Sequence, residues 1–159
     1  MFAVLLTAAC AEVSVDSHLP IATEVVIKAN DEMSESMNGS FMTGAFMTLT
    51  NDSDHDMTLV GGKSDAAPMV QIHEVVDGVM QEKSGGLVIK ARSSEVLKPG
   101  GNHVMLMGMK EPLIAGAEVT ITLTFDDGSE LDVTGPVKVI NIEQEHYHSG
   151  EPSPSMSGM

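Results

Sequence analysis

Residues 117–125 read AEVTITLTF, and within them Val119, Ile121, Leu123 and Phe125 alternate with Thr120, Thr122 and Thr124. A repeat of two is the side-chain period of a β-strand, so one face of this segment enters a core and the other meets water. The next residues, DDGS, turn the chain into ELDVTGPVKVI, residues 130–140, with Asp127-Gly128 suited to the centre of a two-residue primed turn.

Working outward, the same character recurs in TEVVIKA (23–29), TGAFMTLT (43–50), MTLVGG (57–62), MVQIHEVV (69–76), GGLVIKA (85–91), SEVLKPG (94–100) and HVMLMG (103–108). Each run is short, rich in branched apolar residues and bounded by Gly, Asn, Asp or Pro. Amphipathic runs of helix length are absent up to Ile142, and no internal repeat is visible. The expectation is an all-β domain, a Greek-key β-sandwich of about eight or nine strands.

The 159 residues fit one domain with a real core. Aromatic residues make up only 3%, so that core must come from Val, Leu, Ile, Ala and Met, yet the 13 methionines exceed what gap-filling needs. The net charge of -15, from 23 acidic against 8 basic residues, repels nucleic acid and anionic lipid and leaves cations or basic proteins as partners.

Cys10 is the single cysteine, which excludes an intrachain disulfide and a cysteine metal cage. The run before it, MFAVLLTAA, is too short to span a bilayer and reads as a leader, residues 1–9, with Cys10 as the lipidated residue, the alternatives being an ordinary secretory remnant or a buried first strand. Thr7 stands where a lipobox usually has Leu, and no basic segment precedes the apolar run. The remaining division is a polar tether at 10–22, the β-domain at 23–142 and a tail at 143–159. That tail, EQEHYHSGEPSPSMSGM, is polar and expected to be flexible. His146, His148, Met156 and Met159 make it a candidate auxiliary metal segment.

The chemistry concentrates in QIHEVVDGVMQEK (71–83) and GGNHVMLMGMK (100–110). Asp77-Gly78 is a strong hairpin signal, pairing Val76 with Val79, Val75 with Met80 and Glu74 with Gln81. His73, Val75 and Met80 then share a face, and His73 and Met80 become diagonal neighbours. Alternation sets His103, Met105 and Met107 on one face of a second strand. Two imidazoles and two or three thioethers make a soft, uncharged donor set that selects Cu(I) over hard cations. Methionine at alternating positions also serves as core filler, so this pattern alone leaves both readings open. Met107 is a candidate auxiliary sulfur or else packing, Met109 fits packing, Met33, Met37, Met42 and Met47 fit either a rim or the core, and His18 and His55 fit the tether and a solvated loop.

The segments AFMTLTN, VQIHEVVDGVM, LKPGGNHVMLMG and VTITLTF resemble the PCuAC family of extracytoplasmic copper chaperones, over residues 24–139. The most specific piece is LKPGGNHVMLMGMKEPL, residues 97–113. The resemblance implies a cupredoxin-like fold, one Cu(I) held by a His, a Met and a His-x-Met pair, and supply of copper to the binuclear centre of cytochrome c oxidase. Position by position it gives His73, then His103 and Met105. The family's usual offset for the remaining Met falls on Ser84, whereas the hairpin register transfers that role to Met80. The implied partner is the oxidase copper subunit or another copper-delivery protein, and the domain is expected to be monomeric.

A blue-copper electron carrier would need a cysteine thiolate in the domain, and Cys10 lies outside it. No nucleophile-base pairing or carboxylate dyad suggests an enzyme. A copper-sequestering protein would use the same ligands as a chaperone, and a metal-free interaction module is the bland alternative.

Overall fold

The computed structural model describes residues 19–30 and 39–141. Among them lie ten strands and no helix: β1 (Ile21–Lys28), β2 (Phe41–Asn51), β3 (Met57–Ser64), β4 (Ala67–Val76), β5 (Val79–Glu82), β6 (Leu87–Ile89), β7 (Ser93–Leu97), β8 (His103–Met109), β9 (Glu118–Phe125) and β10 (Glu130–Lys138). All nine sequence runs appear as strands, and the tenth is β5, the short second arm of the 77–78 hairpin. β1 starts at Ile21, two residues before the run that announces it, a difference of the size that strand ends ordinarily show.

Strands β4-β8-β2-β1-β10-β9-β3 are hydrogen-bonded in that order, and β3 pairs back onto β4 to close a seven-stranded ring. β5, β6 and β7 extend it from β4, β3 and β2. The architecture is all-β and cupredoxin-like. The ring contains one parallel pair, β1 with β10, and its other neighbours are antiparallel.

The alternating segment that announced the fold behaves as its period requires. Val119, Ile121, Leu123 and Phe125 are buried in the core, while Thr120 is exposed and Thr122 and Thr124 are half-buried. Thr120 bonds Thr134, and Thr122 bonds Asp132, across the wet face of β9 and β10.

The turn between them departs from expectation. A primed two-residue turn needs positive φ at both central residues, but of this pair only Gly128 has it, at 84°. Instead Gly128 N–H donates to the Phe125 carbonyl and Phe125 N–H to that of Ser129. The loop is three residues long, with Gly128 in the left-handed position. Asp127 uses its carboxylate to accept from Ser129 N–H and Oγ–H, which favours this longer loop.

The ring encloses Ile27, Ala45, Met47, Leu49, Leu59, Ile72, Val104, Leu106, Ile121, Leu123 and Phe125 among others. On β4 the core takes Val70 and Ile72, and on β8 it takes Val104 and Leu106. Alternation therefore sends Gln71 and His73, and His103 and Met105, to the outer wall of the same two strands.

Candidate metal centre

β4 and β8 run antiparallel with His73 opposite His103, Gln71 opposite Met105 and Met69 opposite Met107. β5 adds Val75 opposite Met80, as the hairpin signal predicts, and both turn residues have positive φ, 52° at Asp77 and 77° at Gly78. The result is a patch of outer wall that carries His73, His103, Met105 and Met80 on three adjacent strands.

This patch is on the outside of the ring yet largely closed to water. His73, His103 and Met105 are 8%, 3% and 4% exposed, and none belongs to the core cluster. Phe46 supplies part of the cover. It projects from the outer face of β2, lies 7% exposed, and folds back over Gly44, where an added Cβ would sit 2.9 Å from its ring. Its ring centroid is 6.1 Å from that of His103, and the two imidazole centroids are 6.0 Å apart.

The loop before β8 sets the His103 tautomer. Gly101 N–H donates to the Lys98 carbonyl, and the Gly101 carbonyl lies 2.8 Å from His103 Nδ1. A carbonyl can only accept, so Nδ1 carries the proton and Nε2 presents a lone pair. Met80 Sδ lies 3.2 Å from that Nε2. Burial pulls the His103 pKa below its ordinary value, against an opposing pull from the Gly101 carbonyl, so the ring is neutral at neutral pH. A bare nitrogen therefore faces a sulfur with no proton between them.

His73 is arranged by Gln71. Its Nε2 lies 3.0 Å from Gln71 Oε1, which accepts the proton and leaves Nδ1 bare, buried and without a hydrogen-bond partner. Burial first, and then the neighbouring His103, lower its pKa, with Glu82 pulling the other way. A buried polar atom without a partner calls for an explanation, and a neutral imidazole nitrogen of this kind is a donor able to take a soft cation.

The donor set is thus nitrogen and thioether sulfur with no formal charge. Among the described residues, no group of three or more His, Cys, Asp or Glu could hold a metal. Zinc cages and carboxylate-rich sites for hard cations are not what these residues offer.

Other candidates fall elsewhere. Met107 is half-buried on the same outer wall, Met47 and Met109 are in the core, and Met42 is half-buried on β2. His55 is exposed in the loop between β2 and β3, beside Asp54. Ser84 is exposed in the turn after β5. Cys10, His18, Met33, Met37, His146, His148, Met156 and Met159 lie outside the described residues.

Phe46, Gln71 and Gly101 were not singled out from sequence. Gln71 was within reach, since it stands two residues before His73 and so shares its face. Phe46 carried a weaker sign, an aromatic out of phase with the core positions Ala45, Met47 and Leu49. Nothing in the sequence marks the Gly101 carbonyl.

The family model LpqE-like, described as a lipoprotein family, matches residues 19–137. The chain belongs to the LpqE-like family. This LpqE-like chain is 40% identical over 139 residues to Lxx21020 of Leifsonia xyli subsp. xyli, named as a lipoprotein, covering 82% of this chain and 84% of that one. The solution structure of CuI-DR1885 from Deinococcus radiodurans is 34% identical with a TM-score of 0.59, covering 76% of this chain and 78% of that one. The copper-bound PCuAC domain from PmoF2 has a TM-score of 0.60 at 21% identity, over 75% of this chain and 92% of that one, and bears on the fold alone.

Proposed function

We propose that this chain is an extracytoplasmic Cu(I) carrier that holds one copper ion through His73, Met80, His103 and Met105. The observation that carries the reading is the contact of His103 Nε2, left bare because Nδ1–H donates to the Gly101 carbonyl, with Met80 Sδ at 3.2 Å. Two lone-pair donors in contact gain nothing from each other and much from a soft cation between them. The orphaned His73 Nδ1 and the buried Met105 extend the same donor chemistry. Copper(I) in DR1885, a relative at 34% identity, supports Cu(I) as the cargo.

Copper here is cargo, and the residues suit transfer. Met80 rides on the short outer strand β5, so its thioether can leave and rejoin the ion while the two histidines stay fixed by Gly101 and Gln71. The proposed acceptor is the binuclear copper centre of cytochrome c oxidase, with a lipid anchor on Cys10 keeping the carrier at the membrane surface. The lipoprotein names of the family and of the Leifsonia xyli relative support the anchor.

The test is anaerobic Cu(I) titration against a competing chromophoric chelator. Met80→Ala should lose tight binding, whereas Ser84→Ala should match the wild type. Tight binding retained in Met80→Ala would end the assignment. Transfer to an apo oxidase copper subunit then separates delivery from storage: copper that stays on the carrier marks a sequestering protein.

A further inference from the structure

We propose that Met42, Met107 and Met69 form a second soft-metal site, for a monovalent ion such as Cu(I) or Ag(I), along the outer wall from the His73–His103 pair. Met69 and Met107 are direct cross-strand partners on β4 and β8. On the other side of β8 the ladder runs Gly44↔Met105 and Thr43↔Leu106, and resumes at Phe41↔Met109. One step beyond Thr43↔Leu106 sets Met42 opposite Met107, before Gly108, with φ of 74°, takes up the extra residue of a bulge.

Three thioethers thus stand in one row across β2, β8 and β4. All three are outside the core cluster, which takes Ala45, Leu106 and Val70 from the opposite face of these strands. Neighbouring strands are about 4.8 Å apart, a spacing that long, unbranched methionine side chains can close around a single ion. Met69 is 49% exposed and Met42 and Met107 are half-buried, so the row opens to solvent, unlike the covered histidines. Of the large apolar residues left exposed among the described residues, Met69 is the one methionine, and it stands beside two others of its kind. Three neutral sulfurs without a nitrogen make a softer and weaker donor set than the mixed site.

The row also has a direction. Met105 stands two residues before Met107 on β8, and His103 two before that, so one outer face carries thioethers from the open Met69 toward the buried imidazole. The site would serve as the entry point at which copper is first caught. This rests on the proposed function for its cargo but not for its geometry.

The experiment uses the full chain with 13C-labelled methionine methyl groups, titrated with Ag(I). The first equivalent should shift the Met80 and Met105 methyls, and the second those of Met42, Met69 and Met107. The triple variant Met42→Leu, Met69→Leu, Met107→Leu should lose that second event and keep the first. Should the triple variant fold poorly, Met69→Leu alone, at an exposed position, should weaken the second event. The proposal is overturned if a second equivalent leaves these three methyls unmoved or the folded variants still bind it as the wild type does. A first equivalent that misses Met80 and Met105 counts instead against the carrier reading.

Discussion

At the scale of single residues, the proposed site depends on two atoms outside its proposed ligand set. Gln71 Oε1 and the Gly101 carbonyl decide which nitrogen of each histidine is bare. Gln71→Leu should weaken Cu(I) binding by about 10–100-fold, the range seen when a partner that orients a metal-binding histidine is lost. The apo protein should reveal the cause directly, because 15N spectra of His73 would change from one tautomer to a mixture. An unchanged tautomer would remove Gln71 from the argument. The histidines also predict an acid sensitivity. Both folded pKa values lie below the ordinary 6.5, chiefly through burial. In the window between folded and unfolded pKa the unfolded chain holds more protons, so stability falls as pH drops below the unfolded value. Thermal melts of the apo protein from neutral pH to about pH 5 should show this loss, and His73→Asn should reduce it. A melting temperature indifferent to pH over that range would contradict the burial of neutral rings.

Among the elements, the β4–β5 hairpin determines where Met80 lies. Glu74, on the face of β4 opposite His73, accepts from Lys83 Nζ and Gln81 Nε2, and Lys83 N–H bonds the Ile72 carbonyl. The ion pair is about three-quarters covered and fastens the end of β5 to β4. Its loss should cost stability no more than about 1 kcal/mol. Yet Glu74→Ala should speed Cu(I) release, since the strand that carries the sulfur loses its clamp. Chelator-driven release measured by stopped flow, beside a nearly unchanged melt, is the expected pair of results. This element also marks how far the sequence could be read. Asp77-Gly78 fixes the Val75↔Met80 register because a hairpin is local, and alternation puts His103 beside Met105 for the same reason. The pairing of β4 with β8 joins residues some thirty positions apart, as His73↔His103 shows. No periodicity encodes that pairing, and the family resemblance implied only that the two histidines meet at one ion. Asp127-Gly128 carried the same dipeptide as the correct hairpin, but the Ser129 contacts to Asp127 drew it into a different turn.

On the scale of the whole molecule, the ring closes through β1 and β10, whose parallel ladder shows only Ile27↔Val137 and Lys28↔Lys138. So short a seam tolerates little widening. Gly135 stands there on β10, where an added Cβ would lie 2.6 Å from Val25 Cγ1 and 2.8 Å from the Val25 carbonyl oxygen. Backbone cannot yield as a side-chain tip does, so Gly135→Ala should cost about 1–3 kcal/mol, the usual range for overpacking. Between the seam and the proposed metal centre stand β2 on one side, whose Phe46 pairs with Val26 of β1 and covers His103, and β9 and β3 on the other. If the ring is a rigid frame, and the site on β4, β5 and β8 keeps its Phe46 cover when the seam is strained, seam and site should respond separately. Gly135→Ala should melt earlier but bind one tight equivalent of Cu(I) well below its melting temperature. Copper should raise the melting temperatures of variant and wild type by similar increments, because a ligand that binds only the folded state stabilises it according to its affinity. A variant that folds but has lost tight copper would mean that the seam shapes the outer wall, and the frame could then no longer be treated as independent of its cargo site.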